Sequence, residues 1–376
     1  MTPWLRSLVL SLCSLFMFAA TSLAADSPEQ LAAEQKFREE LPLGGNFQPR
    51  QEEGIFVATG HGLSVMVSRD DGKTWEETFY AGPGHDHSHW ATWNNVAYTN
   101  GVFAIAAGWG KPGTIIASDD GKNWRHLTAG TGKPLKKDGH PFDMTTTMQF
   151  LGVNGAFVMP FQATPDFGKT WYTSNQYQFP AEEKAFGKEI GFDNAHPALG
   201  YGNGRFISVG DKGPMLYSDD MGKSWHPMKP ELEKWEGNGA KSIVYFKDAW
   251  LLLKGDGSDI LRSTDNGKTW KAHDLGITRP ASRTYALSVL GDEVWATGQT
   301  SKASKDGMTW YDLSKEVPAS QLTISDRGTI IGTTARPATI LRSTDHGKTW
   351  EKVYTSPRED VKWYSDVQWG KVNKAK

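Results

Sequence analysis

One short pattern, Ser-x-Asp-x-Gly-x-Thr/Ser-Trp, recurs along most of this 376-residue chain. Full or nearly full copies stand at Ser68–Trp75, Thr164–Trp171, Ser218–Trp225, Ser263–Trp270 and Ser343–Trp350. Two looser copies end at Trp124 and Trp310, where we align Ala117 with the Ser of the first, and Ala303 and Lys305 with the Ser and Asp of the second. Self-similarity at a period of roughly 40–50 residues is typical of propellers and arrays. The seven copies therefore constrain the fold more than any other feature.

Strand-like stretches surround each copy of the pattern. An apolar run such as Gly54–Thr59 or Gly101–Ala107 precedes it, a further run such as Asn95–Thr99 lies before that, and a last one such as Trp270–His273 follows the Trp. Short β-rich runs with turns marked by Gly are typical of antiparallel strands. Four strands in each of seven repeats predict an all-β fold, a seven-bladed β-propeller of four-stranded antiparallel blades.

The two ends of the repeat region complement each other. The first repeat opens on its second strand, Gly54–Thr59, and lacks an inner one, whereas a spare strand-like segment, Val361–Gly370, follows the last repeat. We expect this C-terminal strand to insert into blade 1, because that closes the ring and removes the exposed edges that invite aggregation.

The N-terminus predicts an exported protein. Arg6 precedes the apolar stretch Ser7–Ala20, and Ser22-Leu23-Ala24 supplies the small residues of a cleavage site, so residues 1–24 are expected to be a signal peptide. Its removal would take away Cys13, the only cysteine, and leave a periplasmic or extracellular protein without disulfides. We assign residues 25–53 to an N-terminal helix and linker, 54–370 to the propeller and 371–376 to a tail.

The charge balance narrows the choice of partners. Lys+Arg 41 against Asp+Glu 43 gives a net charge of -2, and no long basic or acidic run occurs. Nucleic acid is therefore a poor partner. The apolar stretch near the N-terminus is too short for an integral membrane span. We expect a monomer that binds a glycan or a protein ligand.

The repeated pattern resembles the Asp-box, or BNR, repeat of sialidases, of some endoglucanases and of a photosystem II assembly-factor family, and the blade number is nearer the last. In those families the box lies on the turn between strands 3 and 4, at the rim opposite the binding face. The resemblance implies structural aspartates at Asp70, Asp119, Asp166, Asp220, Asp265 and Asp345. It also implies that the most conspicuous residues are not the functional site.

Histidines concentrate in the loops expected on the opposite, channel-bearing face. His85, His87 and His89 alternate, so in an extended segment they would point the same way and could chelate a divalent metal. His140 and His196 occupy equivalent positions in the loops leading into blades 3 and 4. The same residues can also be ligand contacts or solvated loop imidazoles. No cofactor is assigned beyond a divalent metal at the His85/His87/His89 loop.

A second group of candidates lies on blades 6 and 7. Arg279, Arg283 and Arg336 are placed near Tyr364 of the closing strand. Clustered arginines can bind a carboxylate through paired hydrogen bonds, and a nearby base would allow hydrolysis or proton abstraction on an acidic sugar. Ordinary surface arginines are the alternative interpretation.

Three functional hypotheses follow from these residues. The first is an exported propeller that acts as a binding or scaffold module for a glycan or protein partner on its channel face. The second is a carbohydrate-active enzyme, a sialidase-like glycoside hydrolase or a polysaccharide lyase; the Phe/Tyr-Arg-Ile/Val/Leu-Pro motif of sialidases is missing from the sequence. The third is a metal-dependent site at His87 and His89. The repeat does not discriminate among these hypotheses, because the same blades carry unrelated activities. We favour the first.

Overall fold

The described part of the protein comprises most of the repeat region. The computed structural model describes residues 46–82, 94–107, 114–127, 149–173, 198–210, 215–228, 231–232, 240–254, 259–275, 284–298, 301–313, 317, 319 and 321–375. The chain divides into two compact units, Met1–Glu39 and Glu40–Lys376, and every described residue belongs to the second. The predicted signal peptide and N-terminal helix lie outside the described residues.

The strands follow the sequence repeat. Blade 1 contains β1 (Glu53–Gly60), β2 (Ser64–Ser68) and β3 (Glu76–Phe79); blade 2 contains β4 (Asn94–Thr99), β5 (Val102–Ala107), β6 (Thr114–Ser118) and β7 (Arg125–His126); blade 3 contains β8 (Leu151–Val153), β9 (Ala156–Met159), β10 (Gln162–Thr164) and β11 (Tyr172–Thr173). Blade 4 contains β12 (Ala198–Gly202), β13 (Arg205–Val209), β14 (Met215–Ser218) and β15 (His226–Met228); blade 5 contains β16 (Glu231–Leu232), β17 (Ala240–Phe246), β18 (Ala249–Lys254), β19 (Asp259–Ser263) and β20 (Thr269–Asp274). Blade 6 contains β21 (Thr284–Leu290), β22 (Glu293–Gly298), β23 (Lys302–Ser304) and β24 (Tyr311–Asp312); blade 7 contains β25 (Gln321–Ile324), β26 (Ile330–Thr334), β27 (Thr339–Ser343) and β28 (Glu351–Thr355). The chain ends with β29 (Tyr364–Val372), and a 3-10 turn stands at His61–Leu63.

These strands form seven antiparallel blades. In blades 2 to 7, four strands are hydrogen-bonded in sequence order from the inside outward, whereas in blade 1 the C-terminal β29 lies inside β1, β2 and β3. In blade 5 the short β16 adds a parallel pairing with β20. The innermost strands β29, β4, β8, β12, β17, β21 and β25 contact one another in turn around the ring. The prediction of a seven-bladed β-propeller is confirmed.

The C-terminal strand closes the ring. β29 is the inner strand of blade 1 and pairs antiparallel with β1 from Glu53↔Val372 to Gly60↔Tyr364, as the sequence predicted. The strand runs two residues past the predicted boundary at residue 370, because Lys371 and Val372 continue the pairing. Beyond it, the backbone N–H of Asn373 donates to the carbonyl of Asp119 in blade 2 at 2.8 Å.

The antiparallel order gives the propeller two chemically different faces. The box face carries the turns between the first and second strands together with the Asp boxes between the third and fourth. The channel face carries the loops between the second and third strands and the connections from one blade to the next. Every blade therefore contributes the same kinds of loop to the same face.

In each box an aspartate carboxylate closes the turn. In blade 5, Asp265 Oδ1 accepts hydrogen bonds from the backbone N–H groups of Lys268 and Thr269, and Oδ2 accepts one from Thr269 Oγ1 at 2.7 Å. Ser263 donates to Asp265 and accepts from the N–H of Gly267 at 3.0 Å. Burial raises the pKa of Asp265, but these hydrogen bonds outweigh it and lower the pKa to about 2.

Two boxes are one residue shorter than the others, which corrects the alignment made from sequence. In blade 2, Ser118 donates to Asp120 at 2.9 Å, so Asp120 and not Asp119 is the box aspartate. In blade 6, Ser304 donates to Asp306 at 2.9 Å, so Ala303 and Lys305 are not substitutions in the motif. The seven box aspartates are therefore Asp70, Asp120, Asp166, Asp220, Asp265, Asp306 and Asp345.

The missing residue has a clear backbone role in the longer boxes. There the residue between Asp and Gly adopts a positive φ, as at Asp71, Phe167, Met221, Asn266 and His346. The short boxes omit this left-handed residue and pass directly from Asp to Gly. Asp119 instead joins two other segments of the chain to blade 2, because its Oδ2 accepts hydrogen bonds from the N–H of Gln48 and from Asn373 Nδ2.

The box glycine is the contact point between neighbouring blades. A Cβ on Gly347 of blade 7 would lie 2.7 Å from Trp295 of blade 6, and one on Gly267 of blade 5 would lie 2.7 Å from Ile207 of blade 4. Gly72 of blade 1 has the same relation to a blade 7 side chain at 2.5 Å. These glycines also have φ between 74° and 86°. Both the backbone and the adjacent blade therefore require glycine.

A cationic side chain reinforces several of these joints. Arg342 Nε of blade 7 donates to the carbonyl of Asp71 in the box of blade 1 at 2.9 Å, and Arg205 Nη1 of blade 4 donates to that of Asn266 in blade 5 at 3.0 Å. Arg69 reaches the carbonyl of Asp120 in the same way. Blades 7, 4 and 1 are thus each fastened to the following blade through the backbone of its box.

Deleting residues 361–376 should open the ring. The deletion removes β29 with the buried side chains of Tyr364, Val367 and Val372, and losses of about 2–5 kcal/mol for each large core side chain approach the whole stability of a domain. We expect a lower melting temperature and association through the exposed edge of β1, measured by calorimetry and light scattering. Removing Ala375 and Lys376 is the control, and a 361–376 deletion that stayed monomeric and equally heat-stable would contradict ring closure by β29.

Replacing Asp306 with alanine tests the corrected box of blade 6. The N–H groups of Met308 and Thr309 lose their acceptor, and we expect a loss of about 1 kcal/mol, the lower end of the range because this box is solvent-exposed. Those backbone hydrogen bonds hold the pKa of Asp306 well below its usual range. The stabilisation is therefore complete above about pH 4 and disappears as the pH falls below that value.

Urea unfolding at pH 7 and pH 2.5 measures this difference. The difference in unfolding free energy between wild type and Asp306→Ala should be present at pH 7 and smaller at pH 2.5. Asp312→Ala is the matched control, because Asp312 is exposed and pairs with Lys302 across the surface, an interaction worth little. Equal losses in the two variants would show that Asp306 is not the box aspartate.

Candidate functional site

Most of the predicted ligand residues lie outside the described part of the chain. These are His85, His87, His89, His140, His196, Arg279 and Arg283. Arg336 and Tyr364 are described, and the structure places them differently. Among the described residues, no three His, Cys, Asp or Glu side chains come together as metal ligands, and the metal predicted at the His85/His87/His89 loop remains a prediction.

Arg336 lies on the channel face, where the sequence placed it. It belongs to the loop between β26 and β27, its side chain is exposed, and its guanidinium makes no hydrogen bond or ion pair with another described residue. The loop backbone is fixed, because the N–H of Arg336 donates to the carbonyl of Lys362 at 2.9 Å and Ala335 forms a β-bridge with Trp363. Arg336 is thus a cation without a partner among the described residues, on a backbone held by these two contacts.

Tyr364 is not available to a ligand, and its assignment as a binding residue was wrong. The side chain is 1% exposed and packs between blades 7 and 1, with its ring 6.3 Å from that of Tyr354. Burial raises the pKa of Tyr364. Packing explains the error, since the side chain points from the innermost strand of blade 1 toward blade 7 instead of solvent.

The segment before β29, residues 356–363, is held to blade 1 by polar contacts, and we call these contacts the clasp. His61 Nδ1 contacts the carbonyl of Asp360, and the Tyr80 hydroxyl donates to the carboxylate of Asp360. The guanidinium of Arg358 lies 4.1 Å from the centre of the Tyr80 ring and donates to Glu77 at 2.9 and 3.1 Å. The carboxylates of Glu77 and Asp360 are therefore already engaged.

The clasp also orients an aromatic side chain on the channel face. The Trp363 ring lies 4.6 Å from the His61 ring, which is itself buried. Trp363 remains partly exposed beside the exposed Lys362 and the loop of Arg336. His61 therefore supports this loop from inside the fold and is not a surface group.

One acidic residue in the channel wall, Asp366, was not among the candidates predicted from the sequence. Asp366 lies on β29, and its carboxylate crosses to blade 2, where Oδ2 accepts a hydrogen bond from the N–H of Val96 at 3.0 Å. Its Oδ1 accepts one from the N–H of Val367 at 2.8 Å. Although the side chain is partly exposed, the surrounding inner strands desolvate it and raise the pKa of Asp366 to about 7. An Asp within a strand-like run was the available signal.

Comparison with protein families agrees with the repeat and the architecture. The model of the DUF6242 beta propeller domain matches residues 224–362, and the model of the BNR/Asp-box repeat matches residues 216–227. Among curated proteins, none matches the sequence. The repeats, the blades and these matches define the chain as a β-propeller with Asp-box repeats.

Several solved propellers are similar to the chain at low identity. YCF48 bound to D1 peptide is 15% identical, with a TM-score of 0.37 and coverage of 83% of this chain and 88% of that one. TolB from Acinetobacter baumannii is 10% identical, with a TM-score of 0.46 and coverage of 90% and 70%. AztD from Citrobacter koseri is 9% identical, with a TM-score of 0.44 and coverage of 86% and 99%. No helix within the described ranges is long and apolar enough to cross a membrane.

Asp366 should make stability depend on pH near neutrality. Its folded pKa of about 7 lies above the ordinary value, so the stabilisation is complete below about pH 4 and is lost as the pH rises through 7. Asp366→Asn cannot ionise, so the unfolding free energy of this variant should rise relative to wild type between pH 5 and pH 8. Urea denaturation across that range measures the change. Asp312→Asn is the control. Parallel plots of unfolding free energy against pH for wild type and Asp366→Asn would refute the predicted contribution of Asp366.

Proposed function

We propose that the protein is a non-catalytic binding module whose partner is a protein that docks on the channel face. The observation that carries the proposal is that Arg336 and Trp363 project from two segments whose backbones are bonded to each other at the junction of blades 7 and 1. Arginine and tryptophan supply much of the binding energy in protein interfaces. A support that is already ordered lowers the entropy cost of docking.

The surroundings favour a protein over a small substrate. The exposed residues Ala335, Arg336, Pro337 and Lys362 project from the described part of this face, which suits a broad contact. A catalytic role would need an acid or base held in a fixed position here, and Glu359 is exposed without a hydrogen bond to another described residue that would fix it. The carboxylates of Glu77 and Asp360 are bound to Arg358 and Tyr80 instead. We therefore propose no enzymatic activity at this surface.

The predicted signal peptide adds a compartment to the proposal. We propose that the protein is exported and meets its partner in the periplasm or outside the cell, as a monomer. Mass spectrometry of the mature protein, purified from cells that express the full chain, should show an N-terminus at Ala25. An intact mass that includes residues 1–24 would contradict export through this signal.

Site-directed photo-crosslinking tests the docking surface. A photo-reactive amino acid in place of the exposed Lys362, which adjoins Arg336, should give discrete protein adducts in cells. The same amino acid at Lys348, an exposed position in the box of the same blade, should not. Excess wild-type protein should suppress the adducts, whereas Arg336→Glu should compete at least about tenfold less well, because a charge reversal at an interface anchor weakens binding by that order.

Two outcomes would contradict the proposal. The same adducts from positions 362 and 348 would show that the channel face is not selected. Saturable binding of a glycan that is lost in Arg336→Glu would assign this face to a carbohydrate instead of a protein. Unchanged folding of each variant is checked by circular dichroism and melting temperature.

A further inference from the structure

A polar pocket opens on the box face between blades 7 and 1, opposite the surface proposed for docking. Its volume is about 350 Å³, within the range of sites that hold small molecules. Three separate stretches of sequence build it: the start of β1, the box of blade 1 and the first turn of blade 7, and the end of β29 completes it. Ring closure is therefore what creates the pocket.

A tryptophan forms one wall of this pocket. The ring of Trp369 lies against Gly54, where a Cβ would come within 3.0 Å of Trp369 Cζ2, so the glycine lets the ring lie close to β1. The side chain is still partly exposed, and Lys371 Nζ lies 5.9 Å from the ring centre. The pocket thus has one flat apolar surface among polar groups.

Most charges in the pocket are neutralised in place. Arg69 pairs with Glu53, and Lys371 Nζ lies 3.1 Å from the carboxylate of Asp326. Asp71 accepts hydrogen bonds from the hydroxyls of Thr329 and Ser325 at 2.6 and 3.0 Å and lies 3.4 Å from Arg342 Nη2. A bound molecule therefore does not have to supply a countercharge to any of these groups.

Two further groups remain open to a ligand. Arg327 is exposed on the turn between β25 and β26, and its guanidinium makes no hydrogen bond or ion pair with another described residue. Glu52 is also exposed, and its Oε2 accepts one hydrogen bond, from the N–H of Lys374 at 3.1 Å. The lining thus offers hydrogen-bond donors and acceptors of opposite charge.

We propose that this pocket binds a neutral saccharide unit. Sugar hydroxyls both donate and accept, so they can use Arg327 and Lys371 as donors and Glu52 and Asp326 as acceptors. The apolar C–H face of a sugar ring suits the exposed part of Trp369. A net anion would meet the carboxylate of Glu52, and a net cation would meet the guanidinium of Arg327. The site is independent of the docking surface on the channel face.

Saturation-transfer NMR and isothermal calorimetry on the full-length protein test the site. The panel contains glucose, galactose, mannose and N-acetylglucosamine with their β-linked disaccharides, and glucuronate and free amino acids as charged probes. We expect saturable binding of at least one neutral sugar with a dissociation constant of about 1 mM or tighter, as the size of such a ligand allows. Glucuronate should bind more weakly than its neutral counterpart.

Matched variants on the two faces locate the binding. Arg327→Gln should weaken binding about tenfold or more, because the ligand loses hydrogen bonds to a charged donor. Arg336→Gln replaces an exposed arginine on the channel face and should leave sugar binding unchanged. Trp369→Phe should reduce both the NMR saturation transfer and the affinity. If this variant fails to fold, Arg327→Gln still tests the site, because Arg327 lies on an exposed turn.

The results that would overturn the proposal are specific. They are no saturable binding by any neutral sugar in the panel, tighter binding of glucuronate or an amino acid, or equal effects of Arg327→Gln and Arg336→Gln. The crosslinking result at position 362 stays independent of each of these, so failure of one proposal does not decide the other.

Discussion

The contact between each Asp box and the preceding blade organises the whole molecule. The box turn projects a glycine onto an apolar side chain of the neighbour, as Gly347 does onto Trp295 and Gly267 onto Ile207. Any larger side chain would separate the blades, and the positive φ of the same residue adds a second reason for glycine. The aspartate hydrogen bonds hold the turn in the shape that makes this contact. The box is thus an inter-blade joint repeated around the ring.

Ring closure depends on the same joint and on a second device at the opposite face. On the box face, Arg342 of blade 7 donates to the box of blade 1. On the channel face, the clasp holds residues 356–363 to blade 1 through Asp360 and Arg358. The junction of blades 7 and 1, where the two ends of the propeller meet, is therefore fastened at both faces. These contacts stabilise blade 1, which is built from two distant parts of the chain.

The two proposed surfaces both arise at this junction. The clasp fixes the backbone that carries Trp363 and supports Arg336, and the end of β29 supplies Trp369 to the pocket on the other face. Asp366 lies between them, on the same strand, where desolvation by the inner strands raises the pKa to about 7. The closing strand thus contributes to both candidate surfaces and to the channel wall, so its role extends beyond stability.

The sequence by itself determined the blade number and the closure. Each repeat carries its own box, and the first repeat lacks an inner strand that Val361–Gly370 can provide. It did not determine the register of the short boxes, because omission of one left-handed residue makes Ala117 and Ala303 align with serine when only spacing is read. Tertiary packing alone decided the burial of Tyr364, since the side chain lies between its own blade and blade 7. The pocket also required the folded ring, because residues such as Arg69, Arg327 and Trp369 are brought together by closure and share no local pattern.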